Sequence, residues 1–502
     1  MNAALLERYR DRIAGVLTCY DRIVISGTLP GACYAAGMTS FLNANHIRIF
    51  DYPRFAEPLR DRIRAAAEKL ATAVGAKVEY IAKAHVRKED VVAAVIKARG
   101  DHPGLVHVIS AMEACSSYRP WHDKQTGQTA LKPAPGKCLH YYFYFIDAEL
   151  GLVYLRVPTW CPFRLQFYCN GHSWLARQLT RTGVDYVMAD NAFLRIDDWG
   201  RAQQLADNLS PDVLHRILDR YANACCPVLD VFNQTYHWSL MQVECSTDLA
   251  FLSEATLKPL YAAISREAIL SVKAEQVMTF LGKKMTTQLA QELDSRLSTR
   301  IEGTCIKHRL GKNSVKMYDK FRRVLRIETT TNDVSFFEHH RKVEHRSGHT
   351  TRELAAVKKS IYSLIDLREI LLGCNRRYLE YLSALDDFSA GSRSLDKLTT
   401  PKEVDGRRVK GFNFFDKTEH SLLCSLQRPQ FNIQGVRRAD LKPFLPHRSP
   451  ASITRDLRRL RDFGLIKKVA GTYRYYLTRI GRSAIAAACR ISEQIIIPTL
   501  AV

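Results

Sequence analysis

No stretch of this chain is both long enough and free enough of charge to cross a bilayer, and no apolar segment stands at its start in the manner of a secretory signal. The expectation is a cytoplasmic protein with no membrane contact. The phosphate loop GxxxxGK(S/T) and the dinucleotide turn GxGxxG are both missing, which leaves ATP-driven and dinucleotide chemistry without support. There are 13 cysteines but no CxxC pair and no Cys/His cadence suited to zinc. Scattered cysteines suit a reducing compartment, and the adjacent Cys225 and Cys226 read as core. Internal repeats and low-complexity tracts are also lacking. Acidic residues are the last shortage: 51 Asp and Glu face 74 Lys and Arg, for a net charge of +23. An excess of that size, clustered along the chain, points to a polyanionic partner, with nucleic acid the commonest.

What remains is an ordinary globular composition, 46% hydrophobic and 25% charged, over 502 residues. That length implies two to four domains. The most informative stretch runs from Lys417 to Gly481. Lys417–Leu426 is helical by its apolar spacing, and Arg428-Pro429 stops it. Arg437–Leu445 gives a second short helix. Ser449 suits an N-cap and Pro450 the first helical position of a third. Ile453, Leu457, Leu460 and Phe463 then follow at helical spacing, and Gly464 sits where a left-handed C-cap is needed. The opposite face carries Arg455, Arg458, Arg459 and Arg461, side chains able to grip phosphates or guanine edges in a major groove. Leu465–Val469 and Tyr473–Leu477 would form a two-stranded wing bearing Lys467, Lys468 and Arg474. From Arg437 to Arg482 there are 13 Lys and Arg against 3 Asp. The order of helix, helix, SITRDLRRLRDFGLI and wing resembles the winged helix-turn-helix domains of MarR-class regulators, and the resemblance implies DNA binding.

The rest of the chain reads as a basic α/β body. Strands at Cys19–Thr28, Lys77–Ile81 and Gly104–Ser110 alternate with helices at Glu57–Val74 and Lys88–Arg99. Residues 116–137 are polar, basic and rich in Pro and Gly, an exposed loop or ribbon. Cys138–Ile146 and Gly151–Val157 form a hairpin, and Ser173–Thr182 a helix. The expected class is α+β and multidomain. Residues 1–200 form the α/β domain, 201–300 a helical region and 301–395 a β-hairpin with long helices completing the body. A linker at 396–416 leads to the winged helix-turn-helix of 417–502.

A candidate chemical site lies at Asn313–Lys320 and Val324–Asn332, two strands joined by a basic turn that would bring Asp319 near Glu328. Alternation allows Lys316, Arg326, Asp319 and Glu328 to share a polar side. Carboxylates beside basic residues can hold Mg²⁺ or Mn²⁺ against a phosphate. The pair YDK…LRIE is similar to a stretch in the replication initiators of rolling-circle plasmids and filamentous phages, DNA nicking enzymes with a tyrosine nucleophile and a divalent metal. That resemblance implies a metal site at Asp319 and Glu328, and the candidate catalytic set is Lys316, Tyr318, Asp319 and Glu328. The paired-histidine motif of that nuclease class is absent, and His140-Tyr141-Tyr142 does not supply it. Asp21 and Glu113, at or just beyond strands of the first layer, are further candidate metal ligands. Glu244 and Asp248 are four apart and would share a face if helical. Tyr142 and Tyr144 alternate with Phe143 and Phe145 and suit core or base-stacking roles better than a nucleophile's. Glu338-His339-His340 and Glu344-His345, with Arg and Lys among them, read as an exposed basic segment.

Three functions are compatible with these residues. The first is a DNA-binding protein of a bacterial mobile element or replicon whose body cuts or nicks nucleic acid. The second is a non-enzymatic MarR-like regulator, in which the body senses a ligand or forms a dimer. The third is a structured-RNA-binding protein.

Overall fold

In chain order, the strands before the C-terminal region are β1 (Ile13–Thr28), β2 (Glu79–Tyr80), β3 (Gly104–Cys115), β4 (Tyr118–His122), β5 (Thr129–Pro133), β6 (Gly136–Asp147), β7 (Gly151–Pro158), β8 (Leu165–Asn170), β9 (Tyr186–Ala189), β10 (Ala192–Ile196), β11 (His237–Phe251), β12 (Leu293–Arg300), β13 (Gly303–Leu310), β14 (Asn313–Lys320), β15 (Val324–Thr331), β16 (Glu338–Glu344) and β17 (Thr350–Ala356). Among the described residues, eleven of them make one sheet, in the order β12-β13-β14-β15-β11-β1-β8-β7-β6-β3-β2. Its pairings are antiparallel except β2 with β3. The computed structural model describes residues 4–83, 85–283, 292–300, 303–385, 395–414 and 416–491. The chain is α+β and divides into two units, Met1–Ser265 with Lys273–Tyr381, and Arg266–Val272 with Leu382–Val502.

The sheet explains why residues 1–200 and 301–395 are not separate bodies. β11 lies inside the stretch expected to be helical, and it pairs with β1 on one side and β15 on the other. Side chains alternate across it: Val243, Cys245 and Thr247 go to one face, Glu244, Ser246 and Asp248 to the other. The first face is covered by helices. Tyr221 of helix Pro211–Cys225 packs on Phe145 and Phe167. Asn375 of helix Leu364–Leu385 accepts from the Thr329 hydroxyl at 2.7 Å and donates to the Cys245 carbonyl at 2.9 Å. The second face is the polar one. Helix Lys88–Arg99 covers its β3–β6 end, with Val92 packed among Ile109, Tyr142 and Tyr144. The hairpin β9–β10 packs on its other side, Ala192 meeting Ala250 and Val324. Residues 116–137 contain the ribbon β4–β5, and β16–β17 form a second ribbon ahead of helix Leu364–Leu385.

In the C-terminal unit, helices Lys417–Leu426, Arg438–Leu441, Pro450–Asp462 and Arg479–Arg490 surround one apolar core, with a hairpin of Ile466–Lys468 and Tyr475–Leu477 between the last two. Ser449 caps the third helix by accepting from the Ser452 amide, and Gly464 ends it at φ +71°. The stretch expected as a linker is part of this unit: Leu398, Phe412 and Phe414 are buried in the core, and 402–409 form a small hairpin. Aromatic residues there have apolar partners, so the segment folds despite its polar composition. Cys424 and Cys489 are joined by a disulfide, and His420 lies 3.5 Å from the Cys424 sulfur.

Candidate functional site

The polar sheet face concentrates its charge where β1, β11 and β15 run side by side. A β-bulge makes the site. Tyr20 pairs with Cys245 and Ile23 with Val243, so Asp21 and Arg22 together oppose Glu244. One extra residue there turns both side chains toward the polar face. β8 stops at Asn170, and the chain enters helix Gly171–Thr182. Asn170 works twice, its oxygen capping the His172 and Ser173 amides and its nitrogen donating to Asp21 at 2.9 Å. Gly171 permits the approach, because a Cβ there would lie 2.2 Å from the Tyr20 carbonyl.

Asp21, Glu244 and Glu328 offer oxygens that all lie within 4.8 Å of one another, and all three residues are buried. Lys316 stands directly across from Glu328 on β14. Its ammonium donates to Glu328 at 2.5 Å and to Glu244 at 3.4 Å. Gln242 donates to Glu244 at 3.0 Å, and Thr330 at 3.1 Å. One pleat away is a second knot. Arg326, wholly buried, grips Asp248 through two hydrogen bonds of 2.7 and 2.6 Å and reaches Asp21 at 3.4 Å. It also donates to the Asn191 carbonyl at 2.6 Å, and its guanidinium is 2.9 Å from His172 Nε2. Asn191 donates to Asp21 at 2.6 Å and accepts from Lys320.

These neighbours push the carboxyls apart. Burial opposes ionisation of Asp21, but Arg326 and His172 outweigh it and hold its carboxyl well below the usual range. Asp248 falls to about 2: burial again opposes, and Arg326 and His172 win. Glu328 goes the other way, to about 8, because burial and the charges of Glu244 and Asp21 exceed the pull of Lys316 and Arg326. Burial lowers Lys316, yet Glu328 and Glu244 raise it overall, so its ammonium stays charged. The cluster therefore holds permanent cations beside one carboxyl, Glu328, that burial pushes toward its protonated form.

Of the expected residues, Asp21, Glu328 and Lys316 come together here, joined by Glu244, which shares a face with Asp248 on a strand rather than on a helix. Asp319 does not join them. It pairs with Leu325 and points to the face of Met317 and Ile327, because a single pleat separates it from Tyr318. Among the described residues its Oδ1 has no hydrogen-bond partner, and burial raises its carboxyl. Tyr318 does share the cluster's face, but burial and the charge of Glu328 push its phenol up, away from the phenolate a nucleophile needs. Glu113 lies on β3, four strand positions from β1, roughly 19 Å at ordinary spacing. There Tyr142, Lys88 and Arg156 saturate it with donors, and against the cost of burial they hold it down at about 2. Sequence reasoning missed His172, Asn170, Asn191 and Lys320. The one available signal was the polar alternation Glu244, Ser246, Asp248 inside an otherwise strand-like run.

On the third helix of the C-terminal unit, Arg455, Arg458 and Arg461 are exposed. Lys467 and Lys468 of the hairpin are exposed, whereas Arg474 donates to the Gln434 carbonyl at 2.5 Å. Arg459 departs from the expected face. It is three hydrogen bonds deep in its own unit, to Glu419 and to the Lys410 and Gly411 carbonyls, with Phe412 under its guanidinium. Were this face to meet DNA, Arg458→Ala would weaken that binding by about 1–3 kcal/mol while leaving stability unchanged. Arg459→Ala is expected to cost the unit about 1.5–3 kcal/mol of stability, the size of a hydrogen bond to a charged group. Paired gel-shift and urea titrations check this, and equal effects of both changes on affinity alone would refute the assignment.

Among the described residues, no helix is long and apolar enough to cross a membrane. No family model matches the chain, and no curated protein or solved structure matches it either.

Proposed function

We propose that this chain binds DNA through its C-terminal unit, acting as a winged helix-turn-helix, and cleaves a phosphodiester at Asp21, Glu244 and Glu328 with a divalent cation, Mg²⁺ or Mn²⁺. The observation that carries the reading is the convergence of three carboxylates within 4.8 Å on adjacent strands, beside permanent cations. Oxygens so spaced can share one ion through bonds of about 2.0–2.6 Å. An ion held there by Asp21, Glu244 and Glu328 would supply Lewis-acid polarisation of a phosphoryl oxygen and a more acidic bound water. Lys316 adds positive charge where a phosphate would sit, while Arg326, His172, Asn170 and Asn191 hold Asp21 and Asp248 in position. A bacterial mobile element or replicon is the setting that suits this pairing, because a simple regulator needs no body of this size.

The test is incubation of the full chain with single- and double-stranded DNA and structured RNA, in Mg²⁺, in Mn²⁺ and in EDTA. Metal-dependent cleavage, abolished by Asp21→Asn with DNA binding retained, is the expected outcome. No cleavage of any substrate would overturn it. One observation favours a non-enzymatic regulator instead: Lys316 already donates to both Glu328 and Glu244, so the cluster has partners without an ion. Intact DNA binding without cleavage is the result that reading requires.

A further inference from the structure

Next to the carboxylates, the same sheet face is only half covered. In β7 and β8 burial alternates residue by residue: Val153, Leu155 and Phe167 are buried, while Tyr154, Arg156, Gln166 and Tyr168 are half-exposed and Arg22 exposed. The register lines them up across strands. Tyr144 pairs with Tyr154 and Tyr154 with Tyr168, and the Tyr154 and Tyr168 rings lie 5.2 Å apart and within 8° of parallel. The Arg22 guanidinium closes the row, 5.6 Å above Tyr168, and the bulge that presents Asp21 presents Arg22 with it. On the far side, a second cross-strand row runs Arg296, Lys307, Lys316, Glu328. Lys307 is half-exposed and Arg296 exposed. From β12 to β7 the sheet has seven strand intervals, roughly 34 Å at ordinary spacing.

We propose that this face is a track for a single strand of nucleic acid, passing from the cations of β12 and β13 over the carboxylates to Arg22, Tyr168 and Tyr154. The inference rests on reading the carboxylates as a phosphodiester site, and it names the form of substrate that site takes. Cations at intervals match a phosphate backbone, and partly exposed tyrosine rings match unpaired bases. A duplex keeps its bases stacked inside and offers tyrosines nothing to stack on, so the single strand is the form that uses both features. The C-terminal unit, with its arginine helix, has the chemistry for the duplex.

The experiment uses the full chain and a short fluorescent oligothymidylate in EDTA, where no cleavage occurs. Anisotropy should report binding that weakens as salt rises. Tyr168→Ala should weaken it about tenfold or more, as should Tyr154→Ala. Arg22→Ala, a change at an exposed residue that leaves the core untouched, should weaken it and flatten the salt dependence. Arg455→Ala with Arg458→Ala should weaken it less than Arg22→Ala does. Binding insensitive to Arg22, or lost only with Arg455 and Arg458, overturns the track, as does equal competition by polyglutamate. Because the measurement excludes metal, a chain that binds the oligonucleotide yet never cuts it sinks the cleavage reading alone.

Discussion

Replacing Arg326 with leucine is expected to destabilise the body by about 3–5 kcal/mol, the cost of stripping one partner from a buried ion cluster. Arg326 is wholly enclosed and neutralises Asp248 through two short hydrogen bonds. Leucine fills part of the volume but leaves Asp248 with no guanidinium and takes the buried guanidinium away from Asp21 as well. Both carboxylates would then be held in a low-dielectric interior without a full counter-charge, or be forced to take up a proton. Urea denaturation at neutral pH measures the loss. A double change, Arg326→Leu with Asp248→Leu, should recover much of it, since an apolar pair leaves nothing uncompensated. A cost below about 1 kcal/mol for the single change would mean that the network is hydrated and that its rigidity contributes little.

Glu328→Gln should remove metal-dependent cleavage by at least about 100-fold, more than the 10–100-fold typical of a group that only supports a metal ligand. Glutamine keeps the shape and can still accept from Lys316, so fold and DNA binding should survive. The same change tests the proton on Glu328. In the folded chain burial raises this carboxyl to about 8, against an ordinary 4.5. Between those values the folded state binds more protons than the unfolded one, so the contribution of Glu328 to stability is whole below pH 4.5 and is lost as pH rises toward 8. The stability difference between variant and parent should therefore shift in the variant's favour over that range and level off above it. A difference independent of pH would place the proton elsewhere in the cluster.

The two parts of the molecule were legible to different degrees, for a physical reason. Ser449, Pro450, the spacing of Ile453, Leu457 and Leu460, and Gly464 are local signals, each acting within a turn of its neighbours. The third helix was therefore readable from residues alone. The body's site is assembled from residues 21, 172, 191, 244, 248, 316, 326 and 328 by pairing of strands far apart in the chain. No local pattern encodes which strand lies beside which. The bulge at Asp21–Arg22 is likewise set by its partner strand, and nothing near it in sequence announces an extra residue. Asp319 stands three residues from Lys316, so alternation along β14 sends it to the opposite face, and Lys316 is the residue that meets Glu328. Arg459 differs for a similar reason: Phe412 and Glu419, from segments that read as linker and first helix, enclose its guanidinium.

The Cys424–Cys489 bond has a topological consequence. It closes a covalent ring over a separation of 65 residues, and the arginine helix and its hairpin both lie inside that ring. Tyr473, 82% exposed at the hairpin tip, is the natural point of attack for a protease that cuts after aromatic residues. A single cut there would open the chain without freeing either end, and the two pieces should migrate as one until a thiol reductant lets them part.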